Sequence, residues 1–321
     1  MKQNIIITGC AGFIGFFLSK KLLEKRNKII GLDDLNNYYD KKLKNDRINI
    51  LKKYKNFIFH KKDISNFKEV DKIFKNFKPT IVINLAAQAG VRYSLISREP
   101  YFKSNIHGFY NILELSKKYN VKKLIFASTS SVYGDSKKFP LKENFLTDKP
   151  KSFYAATKKC NEIMAYSYSK LCKTHFIGLR FFTVYGPYGR PDMALYKFVK
   201  SIKKNKTIDV FNNGNHSRDF TYIDDIINGV TNSIKLKNNK NNFEILNLCR
   251  GKVKKLSYFL RLIETYTEKK FKKRFLPLQK GDVKKTYGSI SKSRKRIKYN
   301  PKINVDEGIK NFIKWYEQYE S

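Results

Sequence analysis

Tyr154 and Lys158 stand four residues apart in Ser152-Phe-Tyr-Ala-Ala-Thr-Lys158. In a helix that spacing sets a phenol and an ammonium side by side on one face. A phenol ionises near pH ~10 and is a poor base at neutral pH, but a fixed cation beside it favours the phenolate. Proton transfer to or from an alcohol then becomes feasible. In a chain with 21 tyrosines and 67 basic residues the pair also arises by chance as a turn of surface helix, so its company decides. Upstream lies Phe126-Ala-Ser-Thr129-Ser-Ser131-Val-Tyr-Gly134, with four hydroxyls in succession. Buried hydroxyls need partners, so this run either meets water in a cleft or holds a polar ligand.

The elements that must position these groups begin at the first residues. Asn4-Ile-Ile-Ile-Thr8 is a strand-like run, Gly9-Cys-Ala-Gly12-Phe13-Ile14-Gly15 a turn rich in small residues, and Phe16, Leu18, Leu22 and Leu23 a helical pattern. A second apolar run, Lys28 to Leu32, ends in Asp33-Asp34. Such a βαβ unit lets backbone approach a pyrophosphate, whose charge is held by N–H groups at the helix start. Asp33 stands where a carboxylate accepts from the adenosine ribose hydroxyls and repels a 2′-phosphate, so NAD is expected over NADP. The glycine spacing is Gly-x-x-Gly-x-x-Gly instead of the commoner Gly-x-Gly-x-x-Gly.

Strand-like runs at 57–61, 80–85, 124–128 and 175–179 alternate with helical stretches at 66–77, 105–119 and 154–171. This alternation predicts an α/β fold, a Rossmann doubly wound parallel sheet covered on both faces, with the hydroxyl run at the carboxyl edge of the fifth strand. Beyond residue 180 the rhythm breaks into short strands, loops and helices near 194–204, 225–234 and 257–266. The expected organisation is a dinucleotide-binding domain over 1–180 and a smaller C-terminal substrate-binding lobe over 181–321, some segments of which return to the first domain. Ile309, Phe312, Ile313 and Tyr316 give the last helix one apolar face for core packing. Residues 235–242 read as a solvated loop.

Composition excludes several classes. Four cysteines without a Cys-x-x-Cys pair suit a reducing compartment. Four scattered histidines offer no metal-ligand spacing, and no metal is expected. No run of eighteen apolar residues and no leader pattern occurs, so a soluble cytoplasmic protein without membrane contact is expected. The net charge of +40 would suit a nucleic-acid partner. Its lysines are spread through nearly every segment instead of forming one stripe, so no nucleic-acid role is expected. A positive field of this size speeds arrival of an anionic substrate, less so at high salt.

With the glycine turn, Asp33, the hydroxyl run and Tyr154/Lys158 in this order, the chain resembles the extended short-chain dehydrogenase/reductase family. The resemblance runs nearly end to end and is closest to the NAD-dependent nucleotide-sugar 4-epimerases, UDP-glucuronate 4-epimerases in particular. It is carried also by Asp33-Asp-Leu-Asn-Asn-Tyr-Tyr-Asp40, Leu85-Ala-Ala-Gln-Ala-Gly-Val-Arg92, Arg180-Phe-Phe-Thr-Val-Tyr-Gly-Pro187, Gly189-Arg-Pro-Asp-Met193 and Arg218-Asp-Phe-Thr-Tyr-Ile-Asp-Asp225. The resemblance implies that Tyr154 takes the proton from the sugar 4-hydroxyl. Lys158 would hold the nicotinamide ribose and lower the Tyr154 pKa, and Thr129 would bridge the reacting oxygen and Tyr154. Hydride would pass from C4 to NAD⁺ and return to the opposite face of the 4-keto sugar. Asp63 and Ile64 would meet the adenine, and Leu85, Ala86 and Ala87 the nicotinamide. Asn105 would serve as a structural residue beneath the cleft. Arg92, Arg218 and Asp282 would bind substrate, with Arg218 at the diphosphate and Asp282 at the uridine ribose. Gln279 stands where related epimerases often carry an arginine. Family members are often homodimers through two helices of the first lobe, here 105–119 and 154–171.

Departures select a subfamily. The nucleotide-sugar 4,6-dehydratases carry an Asp-Glu pair after the catalytic Thr, because eliminating water needs a further acid and base. Here those places hold Ser130 and Ser131. Where neutral-sugar 4-epimerases commonly have Asn this chain has Thr183, followed by Arg190. Hydroxyls and a guanidinium suit a C6 carboxylate, so Thr129, Ser130, Ser131, Thr183 and Arg190 are expected around it. Two alternatives stay open: Ser130 and Ser131 satisfy turn backbone, and Arg190 is spent on Asp192 or Asp219. Rival functions are a UDP-glucose 4-epimerase, a one-way dehydrogenase or reductase, and a non-catalytic module on the same fold.

Overall fold

The computed structural model describes residues 3–238, 240–279 and 282–320. Seven strands form one parallel sheet: β1 (Asn4–Thr8), β2 (Lys28–Asp33), β3 (Phe57–Lys61), β4 (Ile81–Asn84), β5 (Lys123–Thr129), β6 (His175–Phe181) and β7 (Phe243–Leu248). Their order is β7-β6-β5-β4-β1-β2-β3. The order reverses between β1 and β4, which opens a crevice at the carboxyl ends of those strands. The inner strands are apolar without alternation because both faces are covered: Ile5, Ile6 and Ile7 are each 0 % exposed. Burying such a side chain contributes about 1.5–3 kcal/mol.

On one face lie α1 (Phe13–Glu24), α2 (Lys41–Lys52) and, later in the chain, Ile223–Ile234; on the other lie α3 (Phe67–Phe77), α4 (Gly108–Lys118) and α5 (Phe153–Tyr168). Local signals start these helices. Asp40 accepts from the Lys42 N–H, Asn66 from that of Glu69, and Ser152 from that of Ala155. A cap of this kind is worth about 1 kcal/mol, and the one at Ser152 sets the helical phase of Tyr154 and Lys158.

The stretch expected to begin a helix at Asn105 instead holds a π-helical segment, Phe102–His107, that runs into α4. Its cause is Asn105. The buried amide accepts from the Gln88 N–H at 2.8 Å and donates to the Gln88 carbonyl at 3.1 Å and to Thr157 Oγ1 at 3.0 Å. Widening the helix there aims one side chain at a loop of β4 and at α5 together.

After β6 the chain makes short pairings: 183–185 with 220–222, 217–218 with 254–255, and 208–211 with 273–276. The loop expected at 235–242 includes residue 239, outside the described residues. The segment 243–248 then returns to the sheet as β7 beside β6. The last helix, Val305–Glu320, buries Ile309, Phe312, Ile313 and Tyr316 as its periodicity predicts. Beneath the end of β5, Glu162 of α5 and Arg180 of β6 form a buried pair at 2.7 Å, and Ser128 Oγ donates to the same carboxylate at 2.6 Å. Breaking a buried pair costs about 3–5 kcal/mol, so the strand and helix that carry the hydroxyl run and Tyr154 are held in one register.

Candidate active site

One cleft of about 400 Å³ opens at the carboxyl edge of the sheet. At one end it is lined by Gly9, Gly12, Phe13, Ile14 and Gly15, with Asp33, Asp63 and Ile64 beyond them. Gly9 has φ +71°, and a Cβ there would stand 2.6 Å from the Ala86 nitrogen. A Cβ on Gly15 would stand 2.0 Å from the Gly9 carbonyl oxygen. Only glycine lets this turn close while its backbone stays open to the cleft. The start of α1 presents its first N–H groups there, a setting that favours an anion.

Asp33 ends β2 with 8 % exposure. It accepts from the Ala11 N–H at 3.1 Å and the Leu35 N–H at 2.9 Å, one bond to each oxygen, so lone pairs remain for a ligand. Burial pushes its carboxyl pKa up, opposed first by the Leu35 N–H and then by Lys44. Lys44 is buried, lines the cleft, and is held by the Asn36 carbonyl and side-chain oxygens, each at 2.9 Å. Asp63 pairs with Lys103 at 3.0 Å.

Mid-cleft, Leu85, Ala86 and Ala87 leave β4 opposite Thr129, Ser130, Ser131, Tyr154 and Lys158. Thr129 Oγ1 accepts from the Ser131 N–H at 3.2 Å and donates to Ser131 Oγ at 3.2 Å. Part of this hydroxyl run therefore does satisfy its own turn, while all three side chains still line the cleft. Lys158 is 2 % exposed, and its ammonium donates to the Ala127 carbonyl at 3.0 Å. Burial lowers its pKa to about 8. Tyr154 is half-buried, and burial pushes its phenol up; the groups that pull it down are the Arg190 guanidinium and the Thr129 hydroxyl. The sequence-based expectation gave that work to Lys158. In the protein alone the lowering cation is Arg190, 36 residues later in the chain, while the Lys158 ammonium lies on the Ala127 carbonyl.

Thr183 and Arg190 also line the cleft. Arg190 grips Asp192 through two bonds, Nε to Oδ1 at 2.9 Å and Nη2 to Oδ2. Tyr38 donates to Asp192 Oδ2 at 3.2 Å. Of the two alternative partners for Arg190 the chain uses Asp192. Asp219 is fully buried and accepts instead from the N–H groups of Arg250, Gly251 and Gly288.

Arg92, Arg218 and Asp282 do not line this cleft. They cluster apart from it, where Arg92 meets Asp282 at 3.3 Å and stacks over Phe211 at 5.0 Å. Arg218 donates to the carbonyls of Ser217 and Lys284, each at 3.1 Å. Gln279 lies near by with a buried, unpartnered Oε1. Sequence reasoning missed Tyr38 and Lys44 as site residues, and it offered Asp192 only as an alternative partner of Arg190. Tyr38 lies inside a run that carries the resemblance, but nothing local marks it as a partner of Asp192, 154 residues away. Among the described residues no cluster of metal-binding side chains occurs, and no helix is long and apolar enough to cross a membrane.

The model of the NAD-dependent epimerase/dehydratase family matches residues 5–249. A UDP-glucuronate 4-epimerase of Thermodesulfobacterium geofontis is 43 % identical over 314 residues, covering 98 % of this chain and 96 % of that one. An uncharacterised protein of Methanocaldococcus jannaschii is 49 % identical over 316 residues, with coverage of 98 % and 96 %. Among solved structures, UDP-glucuronic acid 4-epimerase from Bacillus cereus, in complex with UDP-glucuronic acid and NAD, superposes with TM-score 0.92 at 33 % identity, covering 99 % of this chain and 100 % of that one.

Proposed function

The chain belongs to the NAD-dependent epimerase/dehydratase family, and from that premise we propose that it interconverts UDP-glucuronate and UDP-galacturonate by inversion at C4. The observation that carries this reading is the company of Tyr154. Three hydroxyls, Thr183 and a guanidinium share its cleft, and no carboxylate follows Thr129 to serve a dehydration.

Gly9 to Gly15 and the start of α1 hold the diphosphate of NAD, and Asp33 the adenosine ribose. NAD held there would supply the hydride acceptor and donor for C4, which the reaction needs if the sugar is to pass through a 4-ketone. Tyr154 moves the proton of the 4-hydroxyl, with Thr129 hydrogen-bonded between phenol and sugar. Arg190, and the positive nicotinamide when present, favour the phenolate that burial otherwise opposes. Arg218 and Asp282, with Arg92 beside them, bind the nucleotide diphosphate and ribose.

Ser130, Ser131, Thr183 and the donors of Arg190 that Asp192 leaves free hold the C6 carboxylate. Their task is orientation as well as affinity. A 4-keto uronate is a β-keto acid and loses CO₂ readily when the carboxylate stands perpendicular to the ketone plane. Donors that fix it near that plane deny the developing carbanion its conjugation.

A homodimer is part of the same reading. Tyr110 of α4 and Ile163 and Tyr166 of α5 are 44 %, 58 % and 49 % exposed, an apolar surface on the two helices that would pair with a second copy. The reaction is tested by product analysis with UDP-glucuronate and UDP-glucose side by side. Conversion of the first to its C4 epimer at a rate well above the second is expected; preference for UDP-glucose would overturn the substrate assignment.

A further inference from the structure

Arg47, on α2, is 0 % exposed, yet every partner it has is neutral. Nη1 donates to the Ala11 carbonyl at 2.7 Å and to the Tyr39 hydroxyl at 2.9 Å; Nη2 donates to the Tyr188 carbonyl at 2.6 Å. Its Nε has no hydrogen-bond partner at all. A buried guanidinium without a carboxylate is costly, and proteins keep one where its charge or its fork of donors is used.

What the fork joins is specific. Ala11 lies inside the glycine-rich turn, on the opposite side of which Asp33 accepts the Ala11 N–H. Tyr188 lies two residues before Arg190 and holds φ +51°, a left-handed conformation that costs a bulky residue strain. The Tyr188 carbonyl is fixed by Arg47 and its ring by Phe16 of α1, at 5.2 Å, and by Trp315, at 4.9 Å.

We propose that Arg47 is a positioning residue that couples two segments beside the cleft. It ties the turn that receives a dinucleotide diphosphate to the strained Tyr188–Arg190 loop that faces the sugar, and the diphosphate supplies the negative charge its own surroundings lack. Filling the turn draws on the same side chain that holds Tyr188, so cofactor occupancy is transmitted to the setting of Arg190. This rests on a dinucleotide occupying the turn and is independent of which sugar is used.

The chain carries its own reporter, because Trp315 is its single tryptophan and packs on Tyr188. ADP-ribose, which has the diphosphate but no nicotinamide to quench emission, is titrated into the full-length protein while heat and Trp315 fluorescence are followed. Wild type should bind with a change in emission. Arg47→Lys, which keeps the charge but cannot span three acceptors, should bind about tenfold or more weakly and, once saturated, show no change in emission. An unaltered affinity and emission change in Arg47→Lys overturns the inference, as does weakened binding with the emission change intact. Should the lysine variant not fold, the wild-type arm decides: binding by heat with silent Trp315 sinks the coupling. Failure of wild type to bind ADP-ribose would remove the dinucleotide assignment itself, and the coupling with it.

Discussion

The Lys158 ammonium donates a 3.0 Å hydrogen bond to the carbonyl oxygen of Ala127, which ties the helix of the proton-transfer pair to the strand of the hydroxyl run. This fixes Lys158 in a buried place where its charge is opposed by desolvation alone. The site is thus built around a cation that burial makes costly although it stays mostly protonated at neutral pH.

That conflict has a measurable sign. The Lys158 pKa is lowered to about 8 in the folded protein and returns to the ordinary lysine value near ~10.4 on unfolding. Between those values the unfolded chain binds more protons, so this group's contribution to stability rises as pH rises through that window, by about 3 kcal/mol in all. Below pH 8 the penalty is fully present. Denaturant unfolding of wild type and Lys158→Met should show wild type gaining on the variant from pH 7 to pH 10. Parallel curves would mean that the ammonium is not desolvated.

Arg190 has two predicted effects that separate. Removing the proposed charge-assisted partner of the C6 carboxylate in Arg190→Leu should lower kcat/KM for UDP-glucuronate by about 100-fold, and for UDP-glucose far less. Because the same guanidinium pulls the Tyr154 phenol down, the rising limb of the pH–rate profile should also move to higher pH with either sugar. Arg190→Lys, which keeps a charge, should restore the profile more than the discrimination. Equal loss on both sugars would discard Arg190 as a carboxylate ligand.

The apolar surface on α4 and α5 gives a third test. Ile163→Glu places a charge in the middle of the proposed helix pair and should convert a dimer to a monomer in analytical ultracentrifugation, with NAD binding retained. A wild-type protein that sediments as a monomer would end the proposal.

What the sequence made legible was local. The βαβ start, Asp33, the Tyr154/Lys158 pair and the last helix all announce themselves within one or two turns of chain, where periodicity and caps act. What it hid depends on distant partners. The seventh strand carries Glu244 and Asn247, which read as polar interruptions until Arg296 meets the first at 2.8 Å and the Tyr133 hydroxyl donates to the second at 2.8 Å. Arg47 sits among lysines on α2 and looks like solvated surface, although it touches backbone 141 residues away. The π-helical segment at Asn105 was likewise invisible, because the partner its amide reaches is the backbone of Gln88, 17 residues earlier.

The central claim is that Tyr154 moves the proton while hydride leaves and returns to the same carbon within one closed site. UDP-glucuronate carrying deuterium at C4 tests it directly, with the product read by NMR and mass spectrometry. The account predicts full retention of deuterium at C4 of UDP-galacturonate and no label gained from solvent. Loss of the C4 deuterium to water, or solvent hydrogen entering the ring carbons, would contradict it.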